Sequence, residues 1–210
     1  MTLADVIEPF PRIPLAPGAT LAPEDFVEVP YLFVDEGVVV MRTAANDSAR
    51  RTITCHAGAG ALILPPRAEE VLVALTRTVL VPLSKDICTA LVASPKVAAL
   101  LLEALAESLR QNREAVAAMA RLHHVDRVRE KLIRLARDHG RVGRDGIRLD
   151  FPLTHDLLGE MTGSARETVT RALDELQREG FVVRNGRTYS VHVTPEQLGL
   201  TRSEQGVLRD

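Results

Sequence analysis

The stretch from Leu153 to Glu179, LTHDLLGEMTGSARETVTRALDELQRE, limits this chain's possible folds more than any other segment. Two helical periods meet there at a glycine. Thr154 is suited to cap the first helix, its hydroxyl accepting an otherwise orphaned backbone N–H, and Leu157, Leu158 and Met161 form an apolar stripe behind it. Gly159 falls where a helix must approach its neighbour closely. Gly163 falls where the turn needs a positive φ, which is cheap only for glycine. Ser164 is expected to cap the second helix, with Glu167 three residues on completing a capping box. At about 100° per residue, Val169, Ala172, Leu173 and Leu176 share one side of that helix, and Glu167, Thr170, Arg171 and Asp174 share the other. Arg166 lies in its first turn. The pattern predicts a helix-turn-helix whose second helix offers Arg166, Glu167 and Arg171 to base edges in a major groove. For Glu167 two roles stay open, capping and base reading, and one side chain can serve both.

The surroundings extend the motif. Asp126 is expected to cap a helix that runs to His139 and stops at Gly140, with Val128, Leu132, Ile133, Leu135 and Ala136 on its buried face. Gly146–Phe151 reads as a strand. Phe181–Arg184 and Thr188–Val193 flank Asn185-Gly186, a two-residue hairpin signal. Helix, strand, helix-turn-helix and hairpin together predict a winged helix over residues 125–210, with Arg184 and Arg187 on the wing able to reach phosphates.

Upstream the period changes twice. Residues 1–94 carry short apolar runs at Tyr31–Val34, Val38–Met41, Arg51–Cys55, Ala61–Leu64, Val71–Leu75 and Thr78–Leu83, punctuated by Pro and Gly. That spacing predicts a small β-barrel or roll. From Ser94-Pro95 to about residue 123 there is neither a glycine nor another proline, and Val97, Leu101, Leu105, Leu109, Val116, Met119 and Leu122 form an apolar seam containing Asn112. A helix of about 29 residues spans roughly 43 Å, longer than a small domain needs. A two-stranded coil between subunits accounts for it, with Leu101, Leu105, Asn112, Val116 and Met119 at the dimer interface and residues 95–124 forming dimer helix and hinge. The competing reading lays the helix along its own β-domain. The fold class is therefore α+β: a β-roll, a long dimerisation helix and a C-terminal winged helix-turn-helix.

Composition sets the remaining bounds. The chain has 210 residues, 46% of them hydrophobic, enough to bury a core, and a net charge of −2 that gives no general attraction to nucleic acid. Local arginine must supply it: Arg127, Arg129, Lys131, Arg134 and Arg137 on one helix, and Arg166, Arg171, Arg178, Arg184 and Arg187 downstream. No apolar run suits a membrane span, and MTLADVIEPF lacks an export signal, so a cytoplasmic protein is expected. Two cysteines, Cys55 and Cys88, make no disulfide framework. No phosphate-binding glycine loop, nucleophile elbow or HExxH helix is present, so no enzyme, catalytic residue or metal site is expected.

At LTHDLLGEMTGSARETVTRAL the chain resembles the Crp/Fnr family, the cyclic-AMP-receptor type of bacterial transcription regulator. The run Arg166-Glu167-Thr168-Val169 with Arg171 is similar to the base-reading helix of the cyclic-AMP receptor subgroup. The resemblance implies that Arg166 and Arg171 contact guanine, that Glu167 accepts from a cytosine amino group, and that Thr154, His155, Ser164 and Thr168 touch phosphates. It further implies a homodimer on double-stranded DNA at inverted TGTGA-like half-sites, and activation through RNA polymerase.

The order of roll, long helix and winged helix matches the family, but its effector cassette is degraded and shortened. Leu62-Ile63 stand where the cassette shows Gly-Glu, Arg67-Ala68-Glu69 only loosely echo its arginine segment, and Ala115-Val116 fall where a polar pair meets adenine. A cyclic phosphate needs an arginine and a ribose-binding carboxylate. Cyclic nucleotide binding is therefore not expected, and no cofactor is. Two other readings keep the scaffold: a redox- or small-molecule-responsive regulator, and a winged helix used for protein docking.

Overall fold

The computed structural model describes residues 2–43, 51–119, 123–143, 146–186, 188–194 and residue 198. The chain divides into two compact units, Met1–Ala115 and Val116–Asp210, with the cut inside the long helix.

The first unit is a β-roll with helices against one face. Its strands are β1 (Ile13–Leu15), β2 (Thr20–Leu21), β3 (Tyr31–Glu36), β4 (Val38–Thr43), β5 (Ile53–Gly58), β6 (Leu62–Ile63), β7 (Glu70–Ala74) and β8 (Thr78–Leu83). They form two antiparallel sheets of four strands, in the orders β1-β8-β3-β6 and β2-β7-β4-β5. Alternation along the strands builds two cores. Leu32, Val34, Leu80 and Ile63 point between the sheets with Val39, Met41, Leu72 and Ala74. Phe33, Val81, Leu83 and Leu62 point the other way, onto α1 (Leu3–Ile7), α2 (Lys85–Val92) and α3 (Pro95–Met119). Burial on both faces is why β3 and β8 read as continuous apolar runs rather than as alternating ones.

Several short elements of this unit escaped the sequence reading, among them α1, β1, β2, α2 and a 3-10 turn at Pro23–Phe26. Helix α2 occupies part of a stretch taken as β-rich, although Ser84 caps it through the Ile87 N–H. With eight residues, it offers little period to detect.

The seam expected on α3 divides between two faces. Val97 is buried, and Leu101 and Leu105 pack with it onto the roll's outer core. Ser108 Oγ donates to the Leu62 carbonyl at 2.6 Å, tying the next turn to β6. Leu101 and Leu105 are thus half-buried against their own domain. A second line of apolar residues faces outward: Leu102, Leu109 and Val116, at 67%, 64% and 70% exposure and one heptad apart. Asn112, between Leu109 and Val116, is exposed in the single chain as they are.

The second unit is the winged helix: α4 (His124–His139), β9 (Gly140–Gly143), β10 (Gly146–Leu149), α5 (His155–Thr162), α6 (Arg166–Arg178), β11 (Val182–Asn185) and β12 (Thr188–Val191). Its sheet runs β11-β12-β10-β9. Leu132, Leu135, Leu158, Val169, Leu173, Leu176, Phe151 and Tyr189 are among its buried side chains. Helix α4 begins two residues before the expected cap Asp126; His123 is its N-cap and makes no side-chain cap bond. Lys131 and Arg134 of that helix are buried, which removes them from the exposed basic set. Strand β9 was not expected, since Gly140 was taken only as a helix stop. Strand β11 runs one residue further than expected: Asn185, taken as a turn residue, pairs with Thr188 in the ladder, and Gly186 has φ +65°. Among the described residues no single helix is long and apolar enough to cross a membrane.

Candidate nucleic-acid interface

Helix α5 starts at the Thr154 cap, whose hydroxyl accepts from the Leu157 N–H at 3.1 Å. It ends at Gly163, whose φ of +62° belongs to the left-handed region. The amides of Gly163 and Ser164 both donate to the Gly159 carbonyl, so the chain reverses tightly. A Cβ on Gly159 would stand 2.7 Å from the Ser164 carbonyl oxygen, a backbone atom. The close approach expected at Gly159 is thus an approach to the turn itself.

Helix α6 starts differently from expectation. Its N-cap is Ala165, with no side-chain cap bond, while Ser164 is fully buried. The Ser164 hydroxyl lies 3.4 Å from the Thr162 carbonyl and 3.2 Å from His124 Nδ1. Ser164 therefore neither caps α6 nor presents its hydroxyl to a phosphate, and the capping box with Glu167 does not form. The backbone positioned one residue later takes the cap geometry and leaves the serine inside the turn.

The two sides of α6 are sharply different. Val169, Ala172, Leu173 and Leu176 are buried. Arg166, Glu167, Arg171 and Asp174 are exposed, and Thr168 and Thr170 are half-buried. Arg166 is weakly held: its Nε lies 3.9 Å from Asp156 Oδ1, both side chains largely exposed, an arrangement worth little in water. The exposed face thus carries two guanidinium forks and two carboxylates, the donor and acceptor types that match guanine O6/N7 and cytosine N4. On the wing, Arg184 is exposed and its Nε donates to the Gly186 carbonyl at 3.0 Å. Arg187 lies outside the described residues, and so does the side chain of Met119.

His155 departs most from its expected role. Its Nδ1 lies 2.8 Å from Thr170 Oγ1 on α6, and its Nε2 lies 3.2 Å from the Tyr189 hydroxyl on β12. Both ring nitrogens are therefore engaged within the domain, against the phosphate contact expected of them. Burial, with the positive charges of Arg184 and Arg166, pushes the His155 pKa below its usual 6.5. Burial likewise pushes the Tyr189 phenol up. Sequence reasoning missed Thr170 and Tyr189 as partners; they lie 15 and 34 positions from His155, and no local pattern links them.

The family description "Crp-like helix-turn-helix domain" matches residues 126–199, which hold this whole constellation. Over this domain the chain is similar to the Crp/Fnr family. Similar relatives include the global nitrogen regulator of Synechocystis sp., 32% identical over 98 residues, covering 47% of this chain and 44% of that one. Another is the CRP-like cAMP-activated global transcriptional regulator of Mycobacterium tuberculosis, 28% identical over 94 residues, 45% of this chain and 42% of the relative. Each match thus spans less than half of the curated relative. Solved structures extend the similarity of fold to nearly the whole chain. FixK2 from Bradyrhizobium japonicum has a TM-score of 0.71 at 20% identity, covering 91% of this chain and 96% of its own. A CRP-family transcriptional regulator from Thermus thermophilus has a TM-score of 0.70 at 21% identity, covering 89% and 96%. The Crp/Fnr assignment and the fold class expected from the sequence, β-roll, long helix and winged helix-turn-helix, therefore agree with both kinds of likeness.

Proposed function

We propose that this Crp/Fnr-like chain is a sequence-specific transcriptional regulator acting in the cytoplasm as a homodimer on inverted repeats with TGTGA-like half-sites, and that it does so without cyclic nucleotide. The observation that carries the reading is the division of α6, with Arg166, Glu167 and Arg171 exposed opposite a fully buried Val169, Ala172, Leu173 and Leu176. Arg166 and Arg171 each donate to a guanine, and Glu167 accepts from a cytosine amino group. With the capping box absent, Glu167 is left for the base. Thr154, Thr168 and Arg184 are the phosphate contacts retained from the expected set, and Arg187, outside the described residues, is kept with them on the sequence alone.

The dimer reading rests on the outward line Leu102, Leu109 and Val116. A heptad repeat of apolar side chains on a 25-residue helix is the pattern of a two-stranded coil. The family resemblance implies a dimer whose recognition helices meet half-sites about one turn of DNA apart, roughly 34 Å. Independence from cyclic nucleotide rests on β6. Leu62 is buried in the outer core and Ile63 in the inner one, so neither position presents a backbone cradle or a carboxylate to a ribose phosphate. One of the relatives is called cAMP-activated; we assign that property to the relative alone. Activation through RNA polymerase is the mode that the family resemblance favours.

The test is competition gel-shift of the ligand-free protein with a TGTGA inverted repeat and a scrambled duplex. The expected preference is about a thousandfold or more. Equal affinity for both duplexes overturns the reading, and specific binding that requires added cyclic AMP overturns its ligand-free part.

A further inference from the structure

We propose that His155 is a positioning residue for base reading: bonded at once to Thr170 on the recognition helix and Tyr189 on the wing, it fixes one against the other. This rests on the regulator reading above.

The hydrogen bonds have one consistent direction. The Thr170 hydroxyl donates to the Arg166 carbonyl at 3.0 Å. Its proton is thereby used, so toward His155 Nδ1, 2.8 Å away, the oxygen accepts. The imidazole is then the Nδ1–H tautomer, with a lone pair on Nε2. The Tyr189 hydroxyl, 3.2 Å from that lone pair, donates to it. The chain runs from Tyr189 through His155 and Thr170 to the Arg166 carbonyl, each proton used once.

Its two ends matter. One is the backbone of the turn that carries Arg166, Glu167 and Arg171. The other is Tyr189, whose direct ladder partner across the wing is Arg184. A single imidazole therefore links the base-reading turn to the strand position facing a phosphate contact. A recognition helix rotated on its axis still meets phosphates but misses bases, so the link governs selectivity rather than attraction.

Charging the ring reverses one bond and adds a cation. A second proton makes Nε2 a donor, the Tyr189 hydroxyl must rotate to accept it, and a positive charge is set beside Arg166 and Arg184. The charges facing His155 are Asp156 on its own helix, Arg166 and Asp174 on α6, and Arg184 on β11. The two guanidiniums and burial oppose protonation, the two carboxylates favour it, and the balance keeps the ring neutral near pH 7.

The test compares binding of a palindromic duplex selected by the wild-type dimer with binding of a random duplex. The variants are His155→Leu, His155→Gln and Tyr189→Phe, assayed at about pH 7.5 and about pH 5.5. His155→Leu should lower the specific-to-random ratio about tenfold, the scale of two lost hydrogen bonds, while random binding stays within about twofold. His155→Gln, with an amide donor and an acceptor, should restore most of the ratio. The wild-type ratio should fall on acidification, and His155→Gln should remove most of that fall. Tyr189→Phe keeps the ring and packing, so its several-fold lower ratio at about pH 7.5 reports even if His155→Leu fails to fold. An unchanged ratio in His155→Leu or in Tyr189→Phe, or an acid response kept in His155→Gln, overturns the proposal alone. A wild-type protein that prefers no sequence overturns the regulator reading and this one with it.

Discussion

Leu109→Ala separates the two faces of α3. In the single chain Leu109 is 64% exposed, and so are its heptad neighbours Leu102 at 67% and Val116 at 70%. Fully covering a leucine contributes about 1.5–3 kcal/mol. Nearly two-thirds of that is still to be gained at Leu109 when a partner covers it, and a symmetric dimer loses it twice. The substitution should therefore cost the dimer about 2–4 kcal/mol, or roughly 30- to 1,000-fold in its dissociation constant. Folding of the monomer should hardly change, because Leu109 contributes little to the roll's core. Sedimentation equilibrium across a dilution series measures the first effect, and thermal melting the second. Leu101→Ala is the contrast: that side chain packs on the roll, so its loss should lower the melting temperature and leave association nearly intact. A Leu109→Ala protein that dimerises as tightly as the wild type would refute the argument, and so would a Leu101→Ala protein that becomes monomeric without being destabilised.

Other substitutions probe the site. Gly159→Ala forces a Cβ to 2.7 Å from the Ser164 carbonyl, and the strained turn should lose about 1–3 kcal/mol in thermal or urea unfolding; a shift below a few tenths would mean that the turn yields freely. Arg184→Ala should weaken specific and random duplexes alike and make the salt slope shallower by about one, because a phosphate contact carries no sequence information; a selective loss on the cognate site would make it a base reader. Stability should also follow pH through His155. Its folded pKa lies below 6.5, so across the interval beneath 6.5 the unfolded chain binds more protons and stability rises with pH. The contribution is lost on acidification, and the fall in melting temperature from about pH 7.5 to about pH 5.5 should be smaller in His155→Gln. An equal fall in both proteins contradicts this.

Local patterns made the winged-helix half of the molecule legible. Thr154 as cap, Gly163 as turn and the two faces of α6 all follow from rules within a few residues, and the structure has them in place. The errors come where one position's fate depends on something distant. Ser164 has the composition of a cap, yet the backbone of α6 begins one residue later and buries it. His155 looks like a surface polar residue until Thr170 and Tyr189 are folded against it. On α3 a heptad of leucines can be read along more than one line. Only the roll's outer core shows that Leu101 and Leu105 pack partly against it and that Leu102, absent from the expected seam, faces outward. Elements as short as β2 and α1 carry too few residues for any period to show.

The central claim is that Arg166, Glu167 and Arg171 read bases, and selection from a pool of randomised duplexes tests it most directly. The ligand-free wild-type protein should enrich an inverted repeat with half-sites about ten base pairs apart. Glu167→Ala should enrich the same repeat with the preference for one paired cytosine gone and the remaining positions intact. Enrichment of no common sequence by the wild type, or of an identical repeat by Glu167→Ala, would contradict the account.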